Sequence, residues 1–292
     1  MQSAAAVGTP LATARARRAR RKLLASLGQH ALLVFVGAFF FLPWLWLLST
    51  SLKSLKQVFE VPPRWVPEPI MWENYKMAVT AIPFFLYMRN TLFISFVNVA
   101  GTVLSSSLVA YSFACIPWRG REKLFLFVLA TMMLPGAVTM IPVFVIWRRF
   151  DAIGTYYPLT VRAFFGAAYW IFLLRQFFRG LPSELFDAAR IDGSSELGIY
   201  GRIAMPLAKP ALATLIIFTF LGSYTDFMGP LIYLSEQKTW TLSVGLYGFI
   251  GTHSSEWSWL MAAAVLFTLP LIILFFFTQK TFIQGIVTSG FR

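Results

Sequence analysis

The sequence predicts an all-α integral membrane protein with six membrane-spanning helices. Of its 292 residues, 58% are hydrophobic and only 13% are charged, and the mean hydropathy is +0.67. A soluble domain of this length could not hide so much apolar surface from water. The apolar residues also cluster into stretches long enough for helices that cross a bilayer. We place these spans at residues 31–48, 91–116, 124–145, 157–178, 211–233 and 259–277.

The chain opens with a basic segment, residues 1–30, that we expect to stay in the cytoplasm. Its cations are Arg15, Arg17, Arg18, Arg20, Arg21 and Lys22. A basic run directly before a membrane span is typical of a topology signal or of a contact with anionic lipid, so we expect no nucleic-acid partner. The next apolar run, 31–48, is longer than the apolar part of a typical signal peptide. We therefore expect a first span rather than a cleaved leader.

The connection between spans one and two, residues 51–90, is rich in proline and tryptophan. We expect it to form a structured interfacial loop on the outer face. We expect span three to be broken at Pro135-Gly136 and at Pro142. Prolines at that depth need neighbouring helices, water or a cavity to satisfy the freed carbonyls, which makes Pro135 and Gly136 candidates for lining a pathway. A simple kink in a packed bundle explains these residues equally well.

Residues 181–207, which we call the elbow, form the most polar long connection between apolar spans. Ser183 can cap a first helix over about residues 184–192, and the early acids Glu184 and Asp187 suit the positive end of its dipole. One face of this helix holds three apolar or small residues that would let another protein approach the backbone: Leu185, Ala188 and Ala189.

The rest of the elbow predicts a glycine turn and a second helix. Gly193 is placed to end the first helix in a left-handed conformation. Ser194 or Ser195 can then cap a second helical piece, which must end near Pro206.

The basic residues also predict orientation. With six spans and the amino terminus inside, sixteen of the 25 Lys and Arg residues fall in inner segments. This bias favours a cytoplasmic place for the elbow and for both termini, including the tail 279–292. Residues 31–278 read as one membrane domain, because no internal repeat at a fixed period is found. The net charge of +13 thus reports topology.

The spacing within the elbow resembles that of the permease subunits of bacterial binding-protein-dependent ABC importers. Their signature is Glu-Ala-Ala, three residues, Gly, nine residues, and Ile-x-Leu-Pro. The corresponding residues are Asp187-Ala188-Ala189, Gly193, Ile203 and Met205-Pro206. Asp187 and Met205 are conservative departures from the signature. The wider wording is similar to the carbohydrate, maltose-type branch, and the resemblance covers most of residues 31–292.

This resemblance implies a type I ABC importer architecture in the bacterial plasma (inner) membrane, with the elbow seated in a cleft of a cytoplasmic ATPase. It implies a second homologous permease, two ATPase subunits and an extracytoplasmic substrate-binding protein as partners, besides the lipid bilayer. The solute would be a sugar or a related small polar molecule. The residues that it assigns to ATPase coupling are Glu184, Asp187, Ala188, Ala189, Asp192, Gly193, Ile203 and Pro206.

Motifs for catalysis are missing from the sequence. It has no G-x-x-x-x-G-K-[ST] to cradle phosphates, no G-x-S-x-G and no H-E-x-x-H. We therefore expect no catalytic residues and no cofactor on this chain, with ATP and Mg bound by the partner ATPase. One cysteine, Cys115, and two histidines, His30 and His253, offer no ligand set for a metal.

An ion-coupled secondary transporter is the alternative from another class, and its evidence would be ionisable groups inside spans. Asp226 is the only acid in one, near Tyr224 in a stretch loosened by Gly229 and Pro230. We treat Asp226 and Tyr224 as candidate pathway residues, although interhelical hydrogen bonding explains the acid equally well. An ABC permease for a non-sugar solute such as glycerol phosphate is the other alternative, since affinity in such systems lies chiefly with the binding protein.

Overall fold

The structure is a computed structural model that describes residues 10–252 and 256–289, with side chains for residues 20, 22–251 and 256–279. Every regular element in those ranges is helical. The helices are α1 (Pro10–Ser51), α2 (Leu55–Val58), α3 (Glu73–Thr80), α4 (Phe84–Cys115), α5 (Arg121–Thr131), α6 (Gly136–Arg149), α7 (Tyr157–Thr160), α8 (Ala168–Arg179), α9 (Ser183–Ile191), α10 (Glu196–Ile199), α11 (Met205–Leu207), α12 (Lys209–Tyr224), α13 (Met228–Tyr233), α14 (Leu242–Thr252) and α15 (Trp257–Ser289). His253 and the ends of both predicted tails lie outside the described residues.

Within the described residues, four stretches of helix are long and apolar enough to cross a membrane: Lys22–Ser51, Phe84–Cys115, Tyr157–Arg179 and Trp257–Gln279. Two bent pairs supply two more spans when each pair is counted as one. The first pair is α5 with α6, bent by 96°, and the second is Glu196–Leu207 with α12, bent by 80°. In the second pair the first arm belongs to the elbow, so the bend marks where the elbow meets the membrane span.

The first two spans begin earlier than the sequence suggests. α1 starts at Pro10, so residues 10–30 of the predicted tail are helical and continue into the span. α4 starts at Phe84 rather than at residue 91. The polar pair Arg89-Asn90 reads as loop in the sequence, but Asn90 is buried and its amide donates to the backbone carbonyls of Lys238 and Trp240, both at 3.0 Å. A satisfied amide costs a buried helix little.

The third span is broken at one of its two predicted positions. α5 and α6 meet at Pro135, whose ψ of 134° is extended, and Gly136 starts the second arm. Pro142 causes no break and lies inside α6, contrary to expectation. It removes one helical hydrogen bond, and the helix continues through it to Arg149.

Two further spans are interrupted where the sequence predicts continuous helix. Between α7 and α8 the chain forms a 3-10 turn, Val161–Phe165, followed by Gly166 at φ +80°. The predicted span 211–233 divides into α12 and α13. The connection between the predicted spans 211–233 and 259–277 also contains a helix that the sequence did not predict, α14.

α4 lies at the centre of the bundle and is joined to its neighbours by small polar side chains. Asn98 donates to Ser223 Oγ of α12 at 2.8 Å. Three hydroxyls hold backbone groups of other elements: Thr91 (Leu242 N), Ser105 (Ala163 O) and Ser106 (Ala167 N). Such hydrogen bonds are common between membrane helices, where apolar contact alone gives no preference for protein over lipid.

The largest buried cluster joins the elbow to the bundle. It contains Ala110, Tyr111, Leu174, Phe178, Phe186, Ala189, Ile199, Ala204, Ala208, Ala211, Leu212 and Leu215. These residues come from α4, α8, the elbow and α12. The elbow is therefore packed onto three membrane helices rather than hanging from two of them.

Candidate functional site

The elbow has the predicted order of helix, glycine turn and helix. α9 ends in a Schellman motif, in which Gly193 N donates to Arg190 O and Ser194 N donates to Ala189 O, each at 3.0 Å. Gly193 has φ +77°, the left-handed conformation that glycine adopts without a steric cost. Ser195 caps the second helix, accepting from Gly198 N at 3.2 Å. Both predictions are confirmed.

The start of the elbow differs from the expected cap. α9 begins at Ser183 itself, Pro182 holds the N-cap position, and Ser183 makes no capping hydrogen bond. The fixed φ of Pro182 already suits a helix start, so the boundary of α9 falls at Pro182, one residue earlier than expected. At the other end, a π turn over Tyr200–Ala204 leads to α11, which ends at Leu207. The expectation of an end near Pro206 is confirmed.

Arg190 joins the two halves of the elbow to each other and to the bundle. Its guanidinium donates to Asp187 Oδ1 at 2.8 Å within α9 and to Glu196 Oε1 at 2.8 Å in α10. Nη2 also donates to the backbone carbonyl of Cys115, the last residue of α4, at 2.9 Å. The sequence reading did not single out Arg190, although a cation three residues after Asp187 and close to Glu196 was a usable signal.

Two tyrosines extend this link towards α4. Tyr111 donates its hydroxyl to Glu196 Oε2 at 2.8 Å, and the hydroxyls of Tyr200 and Ser107 lie 2.7 Å apart. The rings of Tyr111 and Tyr200 also pack, with centroids 5.5 Å apart. A displacement of α10 must therefore move α4 or break several hydrogen bonds.

The charges of this network hold one another in place. The hydrogen bond from Arg190, opposed by partial burial and helped by Tyr111, lowers the pKa of the Glu196 carboxyl. The hydrogen bond to Glu196 raises the pKa of Arg190 in turn, and Asp187 adds to that effect. The carboxylate and the guanidinium thus stay ionised together.

The elbow has one buried face and one exposed face. Phe186 and Ala189 are buried in the cluster described above, so Ala189 points into this chain and not towards a partner as expected. The exposed apolar residues are Leu185, Ile191 and Leu197, at 44%, 86% and 73% exposure. Of the other seven residues assigned to coupling, Ile203 is half-buried and six are exposed: Glu184, Asp187, Ala188, Asp192, Gly193 and Pro206.

The candidate pathway residues lie apart from the elbow. Pro135 and Gly136 form the break between α5 and α6, where a Cβ on Gly136 would meet no atom within 4 Å. Tyr224 is fully buried, stacked on Phe220 and Phe267, and donates to Phe267 O at 2.9 Å. In this conformation Tyr224 packs the bundle.

Asp226 lies in the interruption between α12 and α13. Its carboxylate accepts from Gly229 N at 3.1 Å, and Ser243 Oγ donates to its backbone carbonyl at 2.6 Å. The carboxylate thus caps the first turn of α13, and the backbone carbonyl ties this interruption to α14. Its role in a pathway stays a prediction.

Comparisons with known proteins agree on one kind of relative. Residues 103–288 match the family model described as binding-protein-dependent transport system inner membrane component. The arabinooligosaccharides transport system permease protein AraQ of Halalkalibacterium halodurans is 34% identical, over 77% of this chain and 81% of its own length. The sn-glycerol-3-phosphate transport system permease protein UgpE of Salmonella typhi is 30% identical, over 89% and 95% respectively.

A solved structure shares the fold. It is a chain from a crystal structure of a bacterial ABC transporter involved in the import of the acidic polysaccharide alginate. The TM-score is 0.77 at 23% identity, covering 89% of this chain and 97% of the other.

Proposed function

Since this chain belongs to the family of binding-protein-dependent transport system inner membrane components, we propose that it forms half of the pathway by which an ATP-driven importer moves a sugar or glycerol phosphate. The chain is the permease subunit of an ABC importer with the type I fold. The family gives no support to the ion-coupled alternative.

The observation that carries the proposal is the exposed apolar face of an otherwise clamped elbow. Leu185, Ile191 and Leu197 remain open to solvent on a segment whose opposite face is buried in the bundle. Large apolar residues this exposed on a polar segment are consistent with a docking surface. We infer that this face seats in a cleft of a cytoplasmic ATPase, which binds ATP and Mg.

The transmission of force follows from the same contacts. A push on α9 reaches α10 through Arg190 and reaches α4 through Cys115 O and Tyr111. Because α4 is central, its tilt shifts the helices bonded to it. Closure of the two ATPase subunits would then rock this chain against a second permease, and a substrate-binding protein would supply the solute.

The orientation and the solute are part of the proposal. We propose that the elbow and both termini lie in the cytoplasm, and the distribution of the basic residues supports this orientation. The named solutes of the two relatives, arabinooligosaccharides and sn-glycerol 3-phosphate, are both small polyhydroxylated molecules. We assign Asp226, Pro135 and Gly136 to the pathway for such a solute.

Reconstitution tests the function. The chain is co-expressed with a candidate second permease, ATPase and binding protein from its own genome, and uptake into proteoliposomes is measured with labelled arabinooligosaccharide and with sn-glycerol 3-phosphate. We expect ATP-dependent uptake of one of them, none with a hydrolysis-deficient ATPase, and no ATP hydrolysis by the isolated chain. Uptake by the chain alone, driven by an ion gradient, would overturn the proposal, and ATP-dependent uptake of neither solute would overturn the solute class.

A further inference from the structure

We propose that Arg175 and Glu122 form a clamp that makes the broken third span move with the elbow, so that Arg175 is a positioning residue for transport. The inference rests on the proposed function, because it adds a second route by which the elbow reaches the pathway. This route runs through α8 and α5 and shares no hydrogen bond with the network of Arg190.

Arg175 brings three helices together near the elbow. It lies in the last turns of α8, is 3% exposed, and donates from Nη2 to both carboxylate oxygens of Glu122 at 2.7 Å. Its Nε donates to the carbonyl of Phe113 in α4 at 3.3 Å. The guanidinium carbon lies 3.8 Å from the centre of the Phe125 ring of α5. One side chain thus fixes α8 against both α4 and the start of α5.

The charges make this contact hard to separate. A guanidinium buried against aromatic rings is costly unless an anion stays beside it. Glu122 supplies that anion from the first turn of α5, where its own side chain is 60% exposed. Arg121 lies 3.4 Å from the same carboxylate but is more exposed than Arg175. If α8 moved without α5, Arg175 would remain buried without its counter-ion.

The packing of the third span shows why the clamp matters for the break at Pro135. Phe125 is the one buried residue in α5, where it packs with Phe113 and Ile171, and no residue of α6 is buried in this chain. This chain therefore holds the third span mainly through one face of α5. A shift of α8 passes to α5 through that face and the clamp, and from α5 to the break.

The clamp lies close to the elbow along the chain. Arg175 precedes the end of α8 at Arg179 by about one helical turn. The elbow starts two residues later, at Leu181, which packs against the main buried cluster. A movement of the elbow is thus transmitted to Arg175 through the short non-helical residues 180–182 and about one turn of α8.

The test uses Glu122→Gln in the assembled and reconstituted transporter. Glutamine keeps the shape and an acceptor for Arg175 but loses the charge. We expect assembly and ATP hydrolysis to continue while the solute transported per ATP falls by roughly fivefold or more, the lower end of ordinary coupling effects. Arg119→Gln is the control, because Arg119 is exposed in the turn before α5 and forms no ion pair in the described part of the chain. It should match the wild type.

A distance measurement separates positioning from mere stability. With Cys115 replaced, spin labels at Lys123→Cys in α5 and Gln176→Cys in α8 should keep one distance with and without ATP in the wild type, and a changing distance in Glu122→Gln. If that variant does not assemble, Arg175→Lys carries the test, since lysine keeps the charge but cannot hold Glu122 and Phe113 O together. A wild-type transport ratio and constant distance in either assembled variant would overturn the clamp, whereas failure of wild-type uptake would overturn the proposed function itself.

Discussion

Replacing Arg190 by glutamine should loosen the elbow without removing it. The variant loses three charge-assisted hydrogen bonds, to Asp187, Glu196 and the carbonyl of Cys115. The Asp187 pair is within one helix turn and largely exposed, so it contributes only about 0.3 kcal/mol. The contacts to Glu196 and Cys115 O are partly buried and contribute about 1 kcal/mol each.

We call the elbow closed when α9 is bonded to α10 and α4 through Arg190, and open when these contacts are broken. The closed elbow should lose about 2 kcal/mol of stability relative to the open one, which is roughly a thirtyfold change in the ratio of the two states. The core contacts of Phe186 and Ala189 stay, so insertion and expression should be normal. Amide hydrogen exchange over residues 193–199 reads the opening directly. Uptake by the reconstituted transporter, at matched expression, reads its consequence.

Arg202→Gln is the matched control. Arg202 is exposed in the same elbow and forms no ion pair among the described residues. If exchange and uptake in Arg190→Gln equal those in Arg202→Gln, then Arg190 does not hold the elbow, and the route of force from α9 to α4 is wrong.

Three further outcomes are expected. Gly193→Val should lower uptake while the protein level and the bound ATPase stay normal, because a β-branched residue at φ +77° costs more than about 1 kcal/mol. Gly193→Ala should be milder, since an added Cβ would meet no atom within 4 Å, and equal uptake by Gly193→Val and the wild type would contradict this reasoning. With Cys115 replaced, a cysteine at Ser195 should resist a membrane-impermeant thiol reagent in intact cells while one at Glu68 or Glu236 reacts, and the reverse pattern would overturn the orientation. The hydrogen bond from Arg190 lowers the pKa of Glu196, so the contribution of Glu196 to the stability of the elbow is present above the ordinary carboxyl pKa of about 4.3 and is lost as pH falls through the lowered value. Exchange protection of the elbow should therefore hold at about pH 6 and weaken in acid, and this acid dependence should be smaller in Arg190→Gln, where the main cause of the shift is removed.

The sequence predicts those features of the elbow that depend on one residue's own backbone. Gly193 ends a helix because glycine tolerates positive φ, and Ser195 caps one because its hydroxyl reaches an amide three residues on. Ser183 fails as a cap because Pro182 takes that position. The role of Arg190 depends on Cys115, 75 residues earlier in the chain, and no local preference reports such a contact.

The same distinction explains the membrane spans. Hydropathy finds the apolar stretches, because the mean hydropathy of a stretch depends only on the residues within it. It does not find the interruption after Val161–Phe165, because the freed backbone groups there are satisfied by Ser105 and Ser106 of α4. A run of three serines, Ser105 to Ser107, inside an apolar span was the available signal that another backbone lies beside it.

The positions of the clamps and of the interruptions suggest how one movement becomes a change of access. Arg190 ties the elbow to α4, and Arg175 ties α8 to α5, both at the end of the bundle nearest the elbow. The interruptions at residues 132–135, 161–167 and 225–227 all lie farther along their spans from that end. A load applied to the elbow therefore meets helices that are fixed to each other by ion pairs and hydrogen bonds, and these helices move as a unit. The helices must then bend at the interruptions, where backbone hydrogen bonds are already missing or replaced by side chains. A pathway that opens at the end of the bundle away from the elbow therefore does not require the contacts of Arg190 and Arg175 to break.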